Sequence, residues 1–230
     1  MVNESIFKNE KELVEYIVGK LRAAGEYKEV YSFINLAKHK PDKYWPRWYG
    51  AYPLTLQPEI DLLLVSFGYG RVHIEGIEVK YIVIKEKTKS YYAGIEQSLS
   101  ILRFGVDRAW LWHFFDQNVP QEFIVEYVGA CYGIILYLQL PIGYSAYLLE
   151  KESPTRDVIP VSEEPVITPI SVLSPYYSRE LIKMENKRSN WWRVPVRPAP
   201  ENPLLNNPLA KDSVAETREF LRLVLGIPSK

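Results

Sequence analysis

Residues 58–85 read PEIDLLLVSFGYGRVHIEGIEVKYIVIK. Two apolar runs flank FGYGR, whose glycines allow the positive φ of a tight reversal. The spacing predicts two paired strands. Three charges stand inside them: Asp61 in the first run, and Glu78 and Lys80 in the second. A charge in a buried strand costs several kcal/mol unless it is paired, hydrogen-bonded or bound to a metal.

Alternate residues of a strand share a face. Glu78 and Lys80 therefore point together and Val79 points the other way, while Asp61 reaches the same face if the register permits. Two carboxylates and one ammonium then converge on one spot. Carboxylates this close repel unless a cation lies between them. Hard oxygen donors suit Mg²⁺ or Mn²⁺, which takes one or two protein carboxylates and completes its shell with water and substrate phosphate. Lys80 can then contact a phosphate oxygen, orient the attacking water or stabilise developing negative charge. A second reading stays open: GIEVKYIVIKEK alternates well enough for a solvated strand face or an ion pair at a sheet edge.

Upstream, NEKELVEYIVGKLRAAG reads as a helix capped by Asn9, with Glu12 as capping-box partner and Gly25 as its stop. Leu13, Val14, Ile17, Val18 and Leu21 form its apolar face, and a short strand follows in EVYSFINLA. Downstream, SYYAGIEQSLSILRFG reads as a helix ending at Gly105, then DRAWLWHFF as a strand. QEFIVEYVGACYGIILYL is a further helix and YSAYLLE a further strand. The order α-β-β-β-α-β-α-β argues for an α/β fold with a mixed central sheet and helices on its faces.

Residues 1–150 make this core domain. From about residue 151 the texture changes: eleven of 17 prolines fall in the last 80 residues. Residues 151–230 read as a Pro-rich extension closed by the helix SVAETREFLRLVLG, with Ser213 and Glu216 as its capping box.

The 28 basic and 28 acidic side chains cancel, so attraction to nucleic acid or membrane must come from local patches. Three stretches supply such patches: KHKPDKYWPRWY, KEKTKSYY and KMENKRSNWWRVPVRP. Each reads either as phosphate-neutralising and base-stacking, or as a solvated loop whose rings anchor it. Residues 127–149 carry no charge, yet Gln139, Pro141, Gly143 and Ser145 interrupt them. They read as a buried helix and strand rather than a membrane span. The N-terminus has no signal-peptide core, and the lone Cys131 allows no intrachain disulfide, which fits a cytoplasmic protein. Seventeen tyrosines beside two methionines and one cysteine hint at a thermophilic source. His39, His73 and His113 share no metal-like spacing.

The pattern resembles the PD-(D/E)xK nuclease superfamily and is similar to archaeal Holliday-junction resolvases and RecB-like nucleases. Asp61 matches the acidic strand position, and Glu78-Val79-Lys80 matches the Glu-x-Lys of the next strand. Gln97 resembles the helical glutamine of several branches, and Glu10 matches a first-helix glutamate. Pro58 stands three residues before Asp61 rather than beside it, and Ile101 replaces the tyrosine four residues after the glutamine. The resemblance covers residues 8 to 150. It implies a restriction-endonuclease-like core and Mg²⁺-dependent hydrolysis of DNA. Asp61, Glu78 and the Val79 carbonyl would hold the metal, with Lys80, Gln97 and Glu10 beside them. It also implies paired sites in a homodimer. The alternative is a non-catalytic nucleic-acid-binding or assembly module on the same fold.

Overall fold

Apolar periodicity and glycine punctuation lay down one sheet with helices on both faces. A computed structural model describes residues 5–36, 59–68, 71–83, 92–151, 165–172, 181–183 and 191–227. Helix α1 (Glu10–Ala24) leads into β1 (Glu29–Asn35), β2 (Glu59–Gly68) and β3 (Arg71–Ile82). Helix α2 (Ile95–Ile101) and a 3₁₀ turn precede β4 (Arg108–Phe115), α3 (Gln121–Tyr137) and β5 (Gly143–Lys151). The chain then adds β6 (Pro165–Val172), β7 (Leu181–Lys183) and α4 (Lys211–Val224).

Among the described residues seven strands lie in sequence order in one mixed sheet. β1–β2–β3 are antiparallel, β3–β4–β5 parallel, and β5–β6–β7 antiparallel again. The parallel joints are where α2 and α3 supply the crossovers that such pairing requires. One apolar core lies between the sheet and α1, the other between the sheet and α2, α3 and α4.

Asn9 Oδ1 accepts the Glu12 amide and Gly25 closes α1 in the left-handed region, as the capping residues predict. The Glu12 carboxylate bonds the amide of Lys8, one residue before the cap. The five apolar residues of the α1 face are all buried, each worth about 1.5–3 kcal/mol relative to exposure. Gly76 lets α2 come close: a Cβ there would lie 2.3 Å from Ile101 Cγ2.

Three expectations change. The α2 segment is shorter than its pattern suggests, because Gly94 takes φ 84° just before it. Ser213 does not cap the last helix: α4 begins two residues earlier, and Ser213 Oγ donates to the Ala210 carbonyl. The strand β6 was not foreseen, because its prolines disguise it. Pro165 opens the strand and Pro169 precedes the residues that pair with β7, so neither has to donate to that neighbour. Pro58, the stretch KHKPDKYWPRWY and all of KEKTKSYY but Tyr92 lie outside the described residues.

Residues 191–227 reach the cores on both faces of the sheet. Trp191 and Trp192 are buried in the α1-side core, and Trp192 Nε1 donates to Glu26. Those two rings serve as anchors, which settles that part of KMENKRSNWWRVPVRP against base stacking. Arg197 pairs with Tyr144 and donates to carbonyls at the end of α3. Asn202 bonds the Leu102 and Val106 carbonyls, and Tyr31 donates to the Leu225 carbonyl. Among the described residues no helix is long and apolar enough to cross a membrane. Cys131 is buried, and burial pushes its thiol up to about 12.

Candidate active site

Pairing between β2 and β3 ends at Leu62 opposite Ile77. Beyond that point β2 stays with β1, through Ile34–Ile60 and Asn35–Glu59, while β3 stays with β4 as far as Ile82. The sheet is forked. The β3 amides on the open side lose backbone partners, and a buried amide without a partner is costly. Side-chain carboxylates replace them: Asp61 Oδ2 accepts the Val79 amide at 2.8 Å, and Glu10 Oε2 accepts the Tyr81 amide at 3.0 Å.

The Val79 side chain lies in the α1-side core. Because N–H and C=O of one extended residue point the same way, its carbonyl also opens toward the fork. Glu78 and Lys80 share the opposite face, where a Cβ on Gly94 would meet both side chains. Lys80 Nζ lies 2.6 Å from Glu78 Oε1 and 3.3 Å from Glu10 Oε1. Glu10, Asp61, Glu78 and Lys80 thus line one open cleft of about 470 Å³, together with Lys11 and Phe33. The strand register and the first turn of α1 bring together four of the sequence-predicted residues. Gln97 lies on α2 and does not line the cleft; its carbonyl accepts the Ser100 hydroxyl at 2.7 Å.

The electrostatics are those of crowded carboxylates in a dry place. Burial pushes Glu78 up to about 8, with Asp61 adding to the rise and Lys80 opposing it. Burial likewise pushes Asp61 to about 6 against the Val79 amide and Lys80. Burial disfavours the Lys80 ammonium, but Glu78, Glu10 and Asp61 overcome it and raise its affinity for the proton. Four carboxylates, Glu10, Glu59, Asp61 and Glu78, line the cleft against the two ammoniums of Lys80 and Lys11.

Three residues of this neighbourhood carried no sequence signal. Asp116, fully buried at the end of β4, accepts from Tyr81 Oη at 2.5 Å and from the Ile6 amide at 2.8 Å. Tyr81 Oη in turn accepts the Phe7 amide at 3.2 Å. Residues 6–10 are therefore pinned to β3 and β4, which seats Glu10. The third is Phe33, whose φ is 52° inside a strand. Of the histidines, His113 is buried between Tyr144 Oη and the Ala93 carbonyl, whereas His73 meets Glu75 and Asp107 away from the cleft. His39 lies outside the described residues.

Compared with known families, curated proteins and solved structures, the chain matches none. The reading of the cleft rests on its own chemistry.

Proposed function

We propose that the protein is a metal-dependent nuclease that hydrolyses phosphodiester bonds in DNA, on a core like that of restriction endonucleases. The observation that carries this reading is the fork: it gathers Glu10, Asp61, Glu78 and Lys80 from three elements into one cleft. Among the described residues no group of three or more His, Cys, Asp or Glu is arranged as a metal cage. Mg²⁺ or Mn²⁺ needs less than that, since water and substrate phosphate complete its shell. The donors present fit such an ion. Asp61 keeps Oδ1 beside the bonded Oδ2, its charge raises the proton affinity of Glu78, and the Val79 carbonyl opens toward them.

When bound, the metal supplies positive charge at the scissile phosphate and favours hydroxide formation from water near neutral pH. Asp61, Glu78 and the Val79 carbonyl would hold it. Lys80 sits where it can donate to a phosphate oxygen or orient the attacking water. Glu10 holds the Lys80 ammonium and the Tyr81 amide, keeping the strand end in place. In the net reaction water's hydroxyl goes to phosphorus, one P–O ester bond breaks, and water's proton ends on the departing oxygen.

One observation favours the second reading, a DNA-binding module without turnover: Lys80 already bridges Glu78 and Glu10, which partly neutralises them with no metal. The two readings part in a cleavage assay on labelled duplex, single-stranded, flap and four-way-junction DNA with Mg²⁺ or Mn²⁺. The nuclease cuts, stops with EDTA, and is silenced by folded Asp61→Asn and Lys80→Ala variants. Binding without cutting, unchanged by either substitution, would leave only the module. Light scattering on the same samples reads whether two copies pair.

A further inference from the structure

Phe33 is built into β1 at a cost. Its φ of 52° lies in the left-handed region, which bulky side chains seldom adopt, and such outliers persist mainly where function requires them. The kink has a definite location. β1 and β2 are in register at Ser32–Leu62 and again at Ile34–Ile60, but the intervening Phe33–Asp61 pair is not formed. The strained residue is therefore the one opposite the candidate metal-holding carboxylate.

The kink leaves the Phe33 ring half-buried in the cleft wall, its inner side packed on the α1-side core. Lys11, on the first turn of α1, holds its ammonium 5.9 Å from the ring centroid and also lies 4.0 Å from Glu15. An aromatic ring, an exposed cation and the Asp61–Glu78–Lys80 centre thus share one cleft. That is the footprint of a single nucleotide: phosphate at the cations and base on the ring. A π-face accepts any base, so such a contact confers affinity without sequence choice.

Resting on the nuclease reading, we propose that Phe33 is the stacking platform for the nucleobase beside the scissile phosphate, with Lys11 contacting the adjoining phosphate. The site then takes a nucleic-acid strand with its base turned out of the stack, and a simple phosphodiester is a poorer substrate.

The test is a cycle between protein ring and DNA base. Oligonucleotides with a single abasic residue at successive positions around the cut are compared with the intact strand. The enzymes are the wild type, Phe33→Asn, which tolerates the left-handed backbone, and Phe33→Trp, which keeps a ring. Removing one particular base raises the wild-type KM roughly tenfold, as expected for one lost stack. Phe33→Asn raises KM on intact DNA by about the same factor but adds nothing on that abasic strand, and Phe33→Trp restores binding. Lys11→Ala lowers the salt dependence of binding by about one phosphate contact.

An unchanged KM in Phe33→Asn overturns the proposal. So does a loss confined to kcat, or a loss independent of the missing base, because Phe33 would then merely shape Asp61. Wild-type hydrolysis of bis(p-nitrophenyl) phosphate with Mn²⁺ separates the two levels. If that diester is cleaved while Phe33 proves inert, only the stacking contact falls. If neither it nor DNA is cleaved, the nuclease reading fails and the stacking contact with it.

Discussion

Glu78 carries the greatest electrostatic load in the cleft. Its carboxyl titrates at about 8, and that of Asp61 at about 6, against ordinary values of 4.5 and 3.8. Both values are raised in the folded protein, so the native state binds more protons than the unfolded chain between about pH 4 and pH 8. Their contribution to stability is complete below about pH 4 and is lost as pH rises through about 6 and then about 8. Glu78→Gln abolishes the larger titration. Its thermal midpoint should exceed that of the wild type by several degrees near pH 8.5 and converge with it near pH 5. A pH-independent difference would refute this account. Mg²⁺ should raise the wild-type midpoint more near pH 8.5 than near pH 5, because ligands that bind only the native state stabilise it. Gly94 belongs to the same scale. A Cβ there would lie 2.6 Å from Leu111 Cδ1 and 3.1 Å from Lys80 Cγ, at φ 84°. Gly94→Ala should cost about 1–3 kcal/mol in denaturant unfolding and displace Lys80, which on the proposed nuclease reading lowers cleavage as well as stability.

At the scale of elements, the fork between β2 and β3 depends on a latch at the N-terminus. Tyr81 binds Asp116 and the Phe7 amide through its hydroxyl while its own amide holds Glu10. Tyr81→Phe leaves the ring and strips the hydroxyl, taking one donor from the buried Asp116 carboxylate, which keeps the Ile6 amide and Asn118. The expected loss is about 1–3 kcal/mol. Hydrogen exchange should quicken at residues 6–10, with cleavage falling through kcat; unaltered exchange there would mean that the latch does not seat Glu10. Part of this neighbourhood was legible in advance. Asp61, Glu78 and Lys80 stood out because each interrupts an apolar strand, and strand alternation alone put Glu78 and Lys80 on one face. The fork itself was hidden, since where pairing stops depends on carboxylates replacing backbone partners across 18 and 71 residues of sequence. Gln97 was named from its resemblance to a motif, and the seven-residue α2 does not bring it to the cleft. Phe33 and β6 left no trace in periodicity, because a left-handed phenylalanine and a proline-bearing strand both run against local preference.

For the whole molecule, the proline-rich texture after residue 151 marks a change of composition more than a change of core. β6 and β7 extend the sheet, Trp191 and Trp192 enter one core, and Phe220 and Leu221 enter the other. Arg218 fastens α4 through the Gly105 and Val72 carbonyls and Asp107. The full chain should therefore melt in a single calorimetric transition, and a chain ending at residue 190 should lose that cooperativity. A truncated chain that melts sharply near the same temperature would instead make the extension a separable arm.

The bond from Tyr31 to the Leu225 carbonyl joins residues 194 positions apart, and it bears on how the protein is made. On the ribosome Glu10 emerges before its seat, which awaits Tyr81 and Asp116, and Tyr31 of β1 awaits Leu225. Contacts this distant in sequence form late. A nascent chain that stops short of Leu225 therefore lacks this tie on β1, the strand that carries Phe33 into the cleft wall.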